Sequence, residues 1–333
     1  MDTFNTDIHA ALLASKPLSI RKHIPLCNRI PETRHTSRFD INKANWIVFG
    51  HYLSANLFEY IDFYTGQYNA IVEVWKVGQY EVALMAGDLT TEHEEILQAI
   101  ELDYARLNDI PELSKPGLVV MDMDSTAIQI ECIDEIAKLA GVGEEVAEVT
   151  ERAMQGELDF EQSLRQRVGK LKGADESILG AVRAELPLMP DLPELVATFK
   201  AFGWKTAIAS GGFTYFSDYL KETLALDHAQ SNQLEIVQGK LTGNVLGDIV
   251  GAQTKADIVE RLAEQYDIEP HNTIAIGDGA NDLVMMERAG LGIAYHAKPK
   301  VEQQAQCAVR YVGLGGVICI LSALLVKQKR VSF

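Results

Sequence analysis

LVVMDMDST, residues 118–126, is the stretch on which the reading of the whole chain turns. Four apolar residues, Leu118 to Met121, run into two carboxylates two positions apart, Asp122 and Asp124. That is the pattern of a buried strand ending in a polar loop. Along a continuing strand both acids would share one face, but where the strand ends a loop can aim each separately. One carboxylate can then attack while the other handles protons. Taken alone, a D-x-D also fits a solvated loop or a helix cap, so its meaning depends on its company.

Three further segments supply that company. Ser210-Gly211-Gly212 follows the apolar run Thr206 to Ala209 and precedes a helical stretch, Phe213 to Thr223. A hydroxyl and unpaired backbone N–H groups at a helix start favour an anion, although an ordinary glycine turn with a Ser cap reads the same way. Lys255 opens the helical stretch Ala256 to Tyr266, and in isolation it would be a solvated surface lysine. Gly277-Asp278-Gly279-Ala280-Asn281-Asp282 follows the run Thr273 to Ile276 and leads into the helical Leu283 to Ala289. Two carboxylates beside a glycine turn suit a hard cation such as Mg2+; they also suit a tight turn capped by Asp. Read together, nucleophile pair, hydroxyl, lysine and acid pair follow in order at strand ends, which points to catalysis.

Outward from these segments, strand and helix alternate after Gly117, with Leu291 to Ala294 as a further run. Such alternation predicts an α/β fold, a parallel sheet with helices on both faces and reactive groups at the strands' carboxyl ends. Between Ala127 and about Leu188 strand signals vanish, and helix-favouring stretches 131–139, 144–154 and 160–171 predict an all-helical insertion over that edge. Asn232 to Gly247 alternates and is punctuated by glycines, as an antiparallel hairpin does. Upstream of the turn-rich Ser114-Lys-Pro-Gly117, residues 1–112 read as a smaller α+β domain with β-like runs 45–49 and 80–85. Helical spacing covers Thr91 to Leu107, and no catalytic constellation is found before the turn. The uncharged stretch Tyr311 to Val326 is short for a membrane span and is expected to be a buried C-terminal helix.

Across the 333 residues, 30 Lys and Arg stand against 47 Asp and Glu, a formal charge of -17. That balance repels nucleic acid and anionic membrane surfaces, so a small anionic substrate must meet a local positive pocket. The first twenty residues carry Asp2 and Asp7 and no continuous apolar run, which is unlike a signal peptide and predicts a cytoplasmic chain. Cys27, Cys132, Cys307 and Cys319 form no C-x-x-C pair, arguing against a zinc site or a disulfide framework.

D-M-D-S-T, S-G-G, Lys255 and G-D-G-A-N-D make residues 118–333 resemble the haloacid dehalogenase superfamily. More narrowly, Glu131-Cys-Ile-Asp-Glu135, Met154 and the segment Phe160 to Arg167 resemble its phosphoserine phosphatase family. The resemblance implies a core of residues 113–126 and 189–333, a helical cap of about 127–188, and O-phospho-L-serine as substrate, in the last step of L-serine biosynthesis. It implies Asp122 as nucleophile and Asp124 as general acid and base. It implies Mg2+ held by Asp122, the Asp124 backbone carbonyl and Asp278, with Asp282 close by. Lys255, Ser210, the Gly211 N–H and Asn281 would hold the phosphoryl oxygens, Arg167 the serine carboxylate and Glu131 its ammonium, with Met154 and Phe160 walling the pocket. Some family members carry a ligand-sensing domain of the ACT type at the N-terminus; a homodimer is left open. Rival readings are a hydrolase of another small phosphomonoester, a phosphotransferase to an acceptor alcohol, and a non-catalytic serine sensor.

Overall fold

A computed structural model of the protein describes residues 14–30 and 41–329. The reading of the first twenty residues falls largely outside the described residues. Strands β1 (Ile20–Arg21), β2 (Ala44–Gly50), β3 (Ala70–Val77), β4 (Tyr80–Ala86) and β5 (Asp103–Arg106) form one sheet in the order β1-β3-β4-β2-β5. All neighbours are antiparallel. With the helices Ala55–Thr65 and Thr91–Ala99, β2 to β5 follow the β-α-β-β-α-β order of ferredoxin-like folds. Side chains of a strand alternate between faces. Trp46, Val48, Ala83 and Met85 therefore pack under the helices with Phe58, Ile61 and Leu97, while Ile47, Phe49, Val82 and Leu84 join the main core.

The helical spacing expected over 91–107 is cut short. The helix ends at Ala99, Glu101 takes a left-handed φ of 56°, and Asp103–Arg106 becomes an edge strand paired with Trp46 to Phe49 of β2. Leu102, just before that strand, and Tyr104 within it bury their side chains in the core beneath the helices, so tertiary contact overrides the local period. Strands β1 and β3 were not evident in the sequence.

The second sheet holds β6 (Leu118–Met121), β7 (Lys205–Phe213), β8 (His228–Val237), β9 (Lys240–Leu246), β10 (Thr273–Gly277), β11 (Leu291–Tyr295) and β12 (Cys307–Val309). Its order is β12-β11-β10-β6-β7-β8-β9. All pairs are parallel except β8 with β9, the expected hairpin. On one face pack the helices Ala252–Gln265, Leu283–Arg288 and Pro299–Gln304; on the other pack Leu192–Ala201, Thr214–Leu224 and Gly316–Lys327. Register matters most here. Met121 lies beside Ile276 of β10 and Ile208 of β7, so the residues after each strand emerge side by side.

Between β6 and β7 the insertion is helical: Cys132–Ala140, Gly143–Met154, Phe160–Lys170 and a fourth helix, Ser177–Ala184, which the sequence did not announce. Asp159 begins the third, accepting from Gln162 N at 2.8 Å while Asp159 N donates to Gln162 Oε1 at 3.2 Å. The base is closed by Gln129 N to Pro187 O and Met189 N to Ala127 O, each 2.9 Å. The far end is joined to the hairpin, where Leu241 N donates to Ala174 O at 2.9 Å.

The apolar C-terminal segment is a buried helix, Gly316–Lys327, lying between the two sheets, where Trp75 Nε1 donates to Ser322 Oγ at 2.9 Å. No described helix is long and apolar enough to cross a membrane. All four cysteines are free. Beside this helix the buried Asp103 of β5 accepts from the backbone N–H groups of Arg310, Tyr311 and Val312 at 2.6, 3.0 and 3.1 Å. Asp103→Ala would orphan all three donors. We expect a loss of about 3 kcal/mol and a thermal midpoint lowered by several degrees, read by calorimetry; an unchanged midpoint would show that this junction carries no stability.

Candidate active site

The loop after β6 is built on one carbonyl. Met123 O accepts from Thr126, Ala127 and Ile128 N at 3.2, 2.8 and 3.0 Å, which turns the chain back sharply. Asp122 is still held in the sheet, donating its N–H to Ile276 O at 2.9 Å, and its Oδ1 accepts from Met123 N at 2.8 Å. Below it lies Lys255, in the first turn of its helix and completely buried. Its Nζ is 2.8 Å from Asp122 Oδ1 and 2.7 Å from Asp282 Oδ1. The other Asp282 oxygen accepts from Gly279 N at 3.0 Å. Gly277 must be glycine, since a Cβ there would lie 2.4 Å from Asp282 Cγ. Thr126 Oγ1 donates to Asp278 Oδ1 at 3.1 Å. Asp122, Asp278 and Asp282 thus each offer a carboxylate oxygen within 4.8 Å of the others.

Electrostatics follow from this crowding. Burial raises Asp278, and Asp122 and Asp282 add to it, so the group is pushed up to about 7. Asp282 is raised by burial and by Asp122, against the pull of Lys255. Asp124 is raised well above the carboxylate range by desolvation, then by the charges of Glu131 and Asp122. Burial alone would lower Lys255, but Asp122 and Asp282 outweigh it and hold the ammonium firmly protonated.

Over these acids opens a cavity of about 390 Å³, lined by Asp122, Asp124, Glu131, Met154, Phe160, Arg167, Ser210, Gly211, Asp278 and Asn281, among others. Every residue nominated from the sequence borders this space or, like Lys255 and Asp282, supports its floor. The expected positive pocket is corrected: four carboxylates line it against the single guanidinium of Arg167.

The anion cradle is also built differently from the expectation. β7 runs on through Ser210-Gly211-Gly212 to Phe213, with a bulge between Ala209 and Phe213, and the helix begins only at Thr214. Ser210 Oγ accepts from Gly212 N at 2.9 Å. The glycines are there for space: a Cβ on Gly211 would lie 2.6 Å from the Phe160 ring, and one on Gly212 2.8 Å from Asp124 Oδ2.

From the cap come Phe160, Arg167 and the rim residue Met154, which is 67% exposed. The Arg167 Nε is buried with no hydrogen-bond partner. Burial lowers the guanidinium's pKa, while Asp134, Glu131 and Asp124 act in the other direction. Sequence reasoning gave no role to Thr126, which holds Asp278, nor to Ser125, whose Oγ donates to Glu131 Oε1 at 2.8 Å. Their place inside D-M-D-S-T was the available signal.

Comparison with known proteins agrees with this geometry. The family model of haloacid dehalogenase-like hydrolases matches residues 116–290, and a domain of unknown function, DUF5609, matches 42–106. A phosphoserine phosphatase of Vibrio cholerae is 72% identical over 316 residues, 95% of this chain and 96% of the relative. The unliganded crystal structure of a probable phosphoserine phosphatase from that organism superposes with a TM-score of 0.90 at 72% identity, covering 95% of this chain and 98% of the other. A phospho-aspartyl intermediate analogue of phosphoserine phosphatase aligns at 39% identity with a TM-score of 0.58, covering 61% of this chain and 98% of the other. Fold and site together define a haloacid dehalogenase-like hydrolase, an enzyme that cleaves phosphomonoesters. Within that superfamily the chain belongs to the phosphoserine phosphatase family.

The raised Asp278 fixes the sign of a pH effect. A carboxyl whose pKa is higher folded than unfolded stabilises the fold at low pH, and that contribution is lost as pH rises through the folded value, about 7. Metal-free protein should therefore be about 1 kcal/mol more stable at pH 6 than at pH 8 from this group. Denaturant titration at both pH values checks it; Asp278→Asn should shrink the difference by about that amount, leaving the share of the likewise raised Asp282 and Asp124, and an undiminished difference in that variant would assign it elsewhere.

Proposed function

We propose that this site hydrolyses O-phospho-L-serine to L-serine and phosphate through an aspartyl-phosphate on Asp122, with Mg2+ bound. The observation that carries the reading is the cluster of Asp122, Asp278 and Asp282, whose oxygens lie within 4.8 Å of one another around the single Lys255 ammonium. One buried cation cannot balance three carboxylates and an incoming phosphate. An all-oxygen donor set of this kind suits a hard divalent ion. Asp122, the Asp124 carbonyl and Asp278 would hold it, with Asp282 alongside. When bound, Mg2+ supplies positive charge that offsets the repulsion between these acids and the phosphoryl oxygens.

The chain's own residues account for the rest. An Asp122 oxygen attacks phosphorus, forming the acyl phosphate as the bond from phosphorus to the serine oxygen breaks. A serine alkoxide is too basic to leave alone. Asp124, whose protonated form is favoured by desolvation and by the neighbouring Glu131 charge, gives it a proton. Ionised, Asp124 then takes a proton from the water that attacks the acyl phosphate at phosphorus, releasing phosphate and restoring Asp122. Lys255 sits against Asp122 Oδ1, where its charge can follow the phosphoryl oxygens, and Ser210, Gly211 and Asn281 border their position.

Substrate choice belongs to the cap side. Arg167, with an unpartnered buried Nε, offers a planar fork for the serine carboxylate, and Glu131 faces the same cavity for the ammonium. Phe160 and Met154 enclose the stem between them. In the cell this reaction would be the last step of L-serine biosynthesis.

Arg167→Ala should raise KM for phosphoserine roughly 10- to 100-fold, the range of a charged hydrogen bond. KM for an aryl phosphate, which has no carboxylate, should change little. Equal increases in steady-state assays would remove Arg167 from carboxylate recognition. Exhaustive chelation should silence turnover and Mg2+ restore it; full activity in chelator would contradict the metal assignment.

A further inference from the structure

Ser125 adopts a conformation that glycine would occupy at lower cost. Its φ is 58°, in the left-handed region, between Asp124 and Thr126 of the nucleophile loop. An L-residue there is disfavoured relative to glycine, because its Cβ crowds the following carbonyl oxygen. The backbone does not require the side chain, so the reason for it must be sought in what the hydroxyl touches. That partner is Glu131: Ser125 Oγ donates to Oε1 at 2.8 Å. The same short segment is closed by Ser125 N to Ile130 O at 3.3 Å and Cys132 N to Asp124 Oδ1 at 3.4 Å. The loop bearing the reacting carboxylates is thereby tied to the first residues of the cap.

Glu131 is exposed to the cavity and stands one residue before the helix Cys132–Ala140. A free glutamate in that position has many rotamers, and fixing them when a ligand binds costs affinity. We infer that Ser125 is a positioning residue for substrate recognition: its hydroxyl engages Glu131 Oε1 and holds the carboxylate ready, leaving Oε2 for the ammonium of an amino-acid phosphate. The inference rests on the reading of Glu131 given above. It makes the position a determinant of selectivity, where glycine would keep the loop and lose the preorganised acid.

Ser125→Gly provides the test, because it relaxes the backbone while deleting the hydroxyl. Its thermal midpoint should stay level or rise, and KM for phosphoserine should increase about 5- to 10-fold, as for one lost hydrogen bond. KM and kcat for an aryl phosphate, which lacks an ammonium, should stay within about 2-fold, the effect of a contact that substrate does not make. Ser125→Ala should give the same KM shift without the gain in stability. Glu131→Gln also removes a charge from beside Asp124 and so should lower kcat for both substrates, but it should raise KM for phosphoserine well above that for the aryl phosphate, and adding Ser125→Gly to it should raise KM no further, since the two act through one contact. If Glu131→Gln discriminates between the substrates and Ser125→Gly does not, the inference is overturned while the reading of Glu131 survives. If Glu131→Gln raises KM alike for both substrates, the reading of Glu131 fails and takes the inference with it. Equal KM increases for both substrates in the Ser125 variants would mean that the hydroxyl shapes the loop and does not serve the ammonium.

Discussion

Lys255 is shared by two carboxylates, and much of the site follows from that sharing. Its ammonium, wholly buried, touches Asp122 and Asp282 at 2.8 and 2.7 Å. A buried charge without a partner is strongly destabilising, so the lysine fixes where the two acids can stand. Asp278, close to both and without such a cation, is pushed up to about 7. The fold therefore holds more negative charge than its own side chains balance. That imbalance costs stability and makes the cluster compatible with a divalent cation.

The parallel sheet brings the acids together without any loop having to travel. Met121 lies level with Ile208 and Ile276, so one further residue along each strand brings the chain to Asp122, Ala209 and Gly277. Lys255 rises from a helix on one face, and the cap descends from the loop between β6 and β7. The strand-end acids and the insertion's Phe160 and Arg167 are thus separate in construction. Core and insertion meet at residues 124–132, where hydrogen bonds of Ser125 and Asp124 cross from one to the other.

Legibility in the sequence was uneven for physical reasons. The catalytic sheet could be read because its strands are short apolar runs that end abruptly in polar motifs, and because their order is fixed by alternating helices. The N-terminal sheet was harder: Ile100, Leu102 and Tyr104 continue an apolar rhythm past the helix end, and only pairing with β2 makes Asp103–Arg106 a strand. The C-terminal helix could be read as buried, but not what buries it, since Trp75 and Ser322 are joined across the chain. The four acids and the lysine were nominated from their motifs; Ser125 was not, because a left-handed φ at a serine leaves no mark in a sequence. The sign of the cavity was misjudged for a related reason: whole-chain charge says nothing about how acids concentrate at one strand edge.

The proposed reaction turns on the fate of one side chain. Mixing the Mg2+-loaded enzyme with phosphoserine labelled in the phosphoryl group, quenching in acid within milliseconds and mapping the peptides measures it directly. An acid-trapped label should appear before free phosphate and reside on Asp122. Label on another residue, or phosphate release with no protein-bound label at any time, would contradict it.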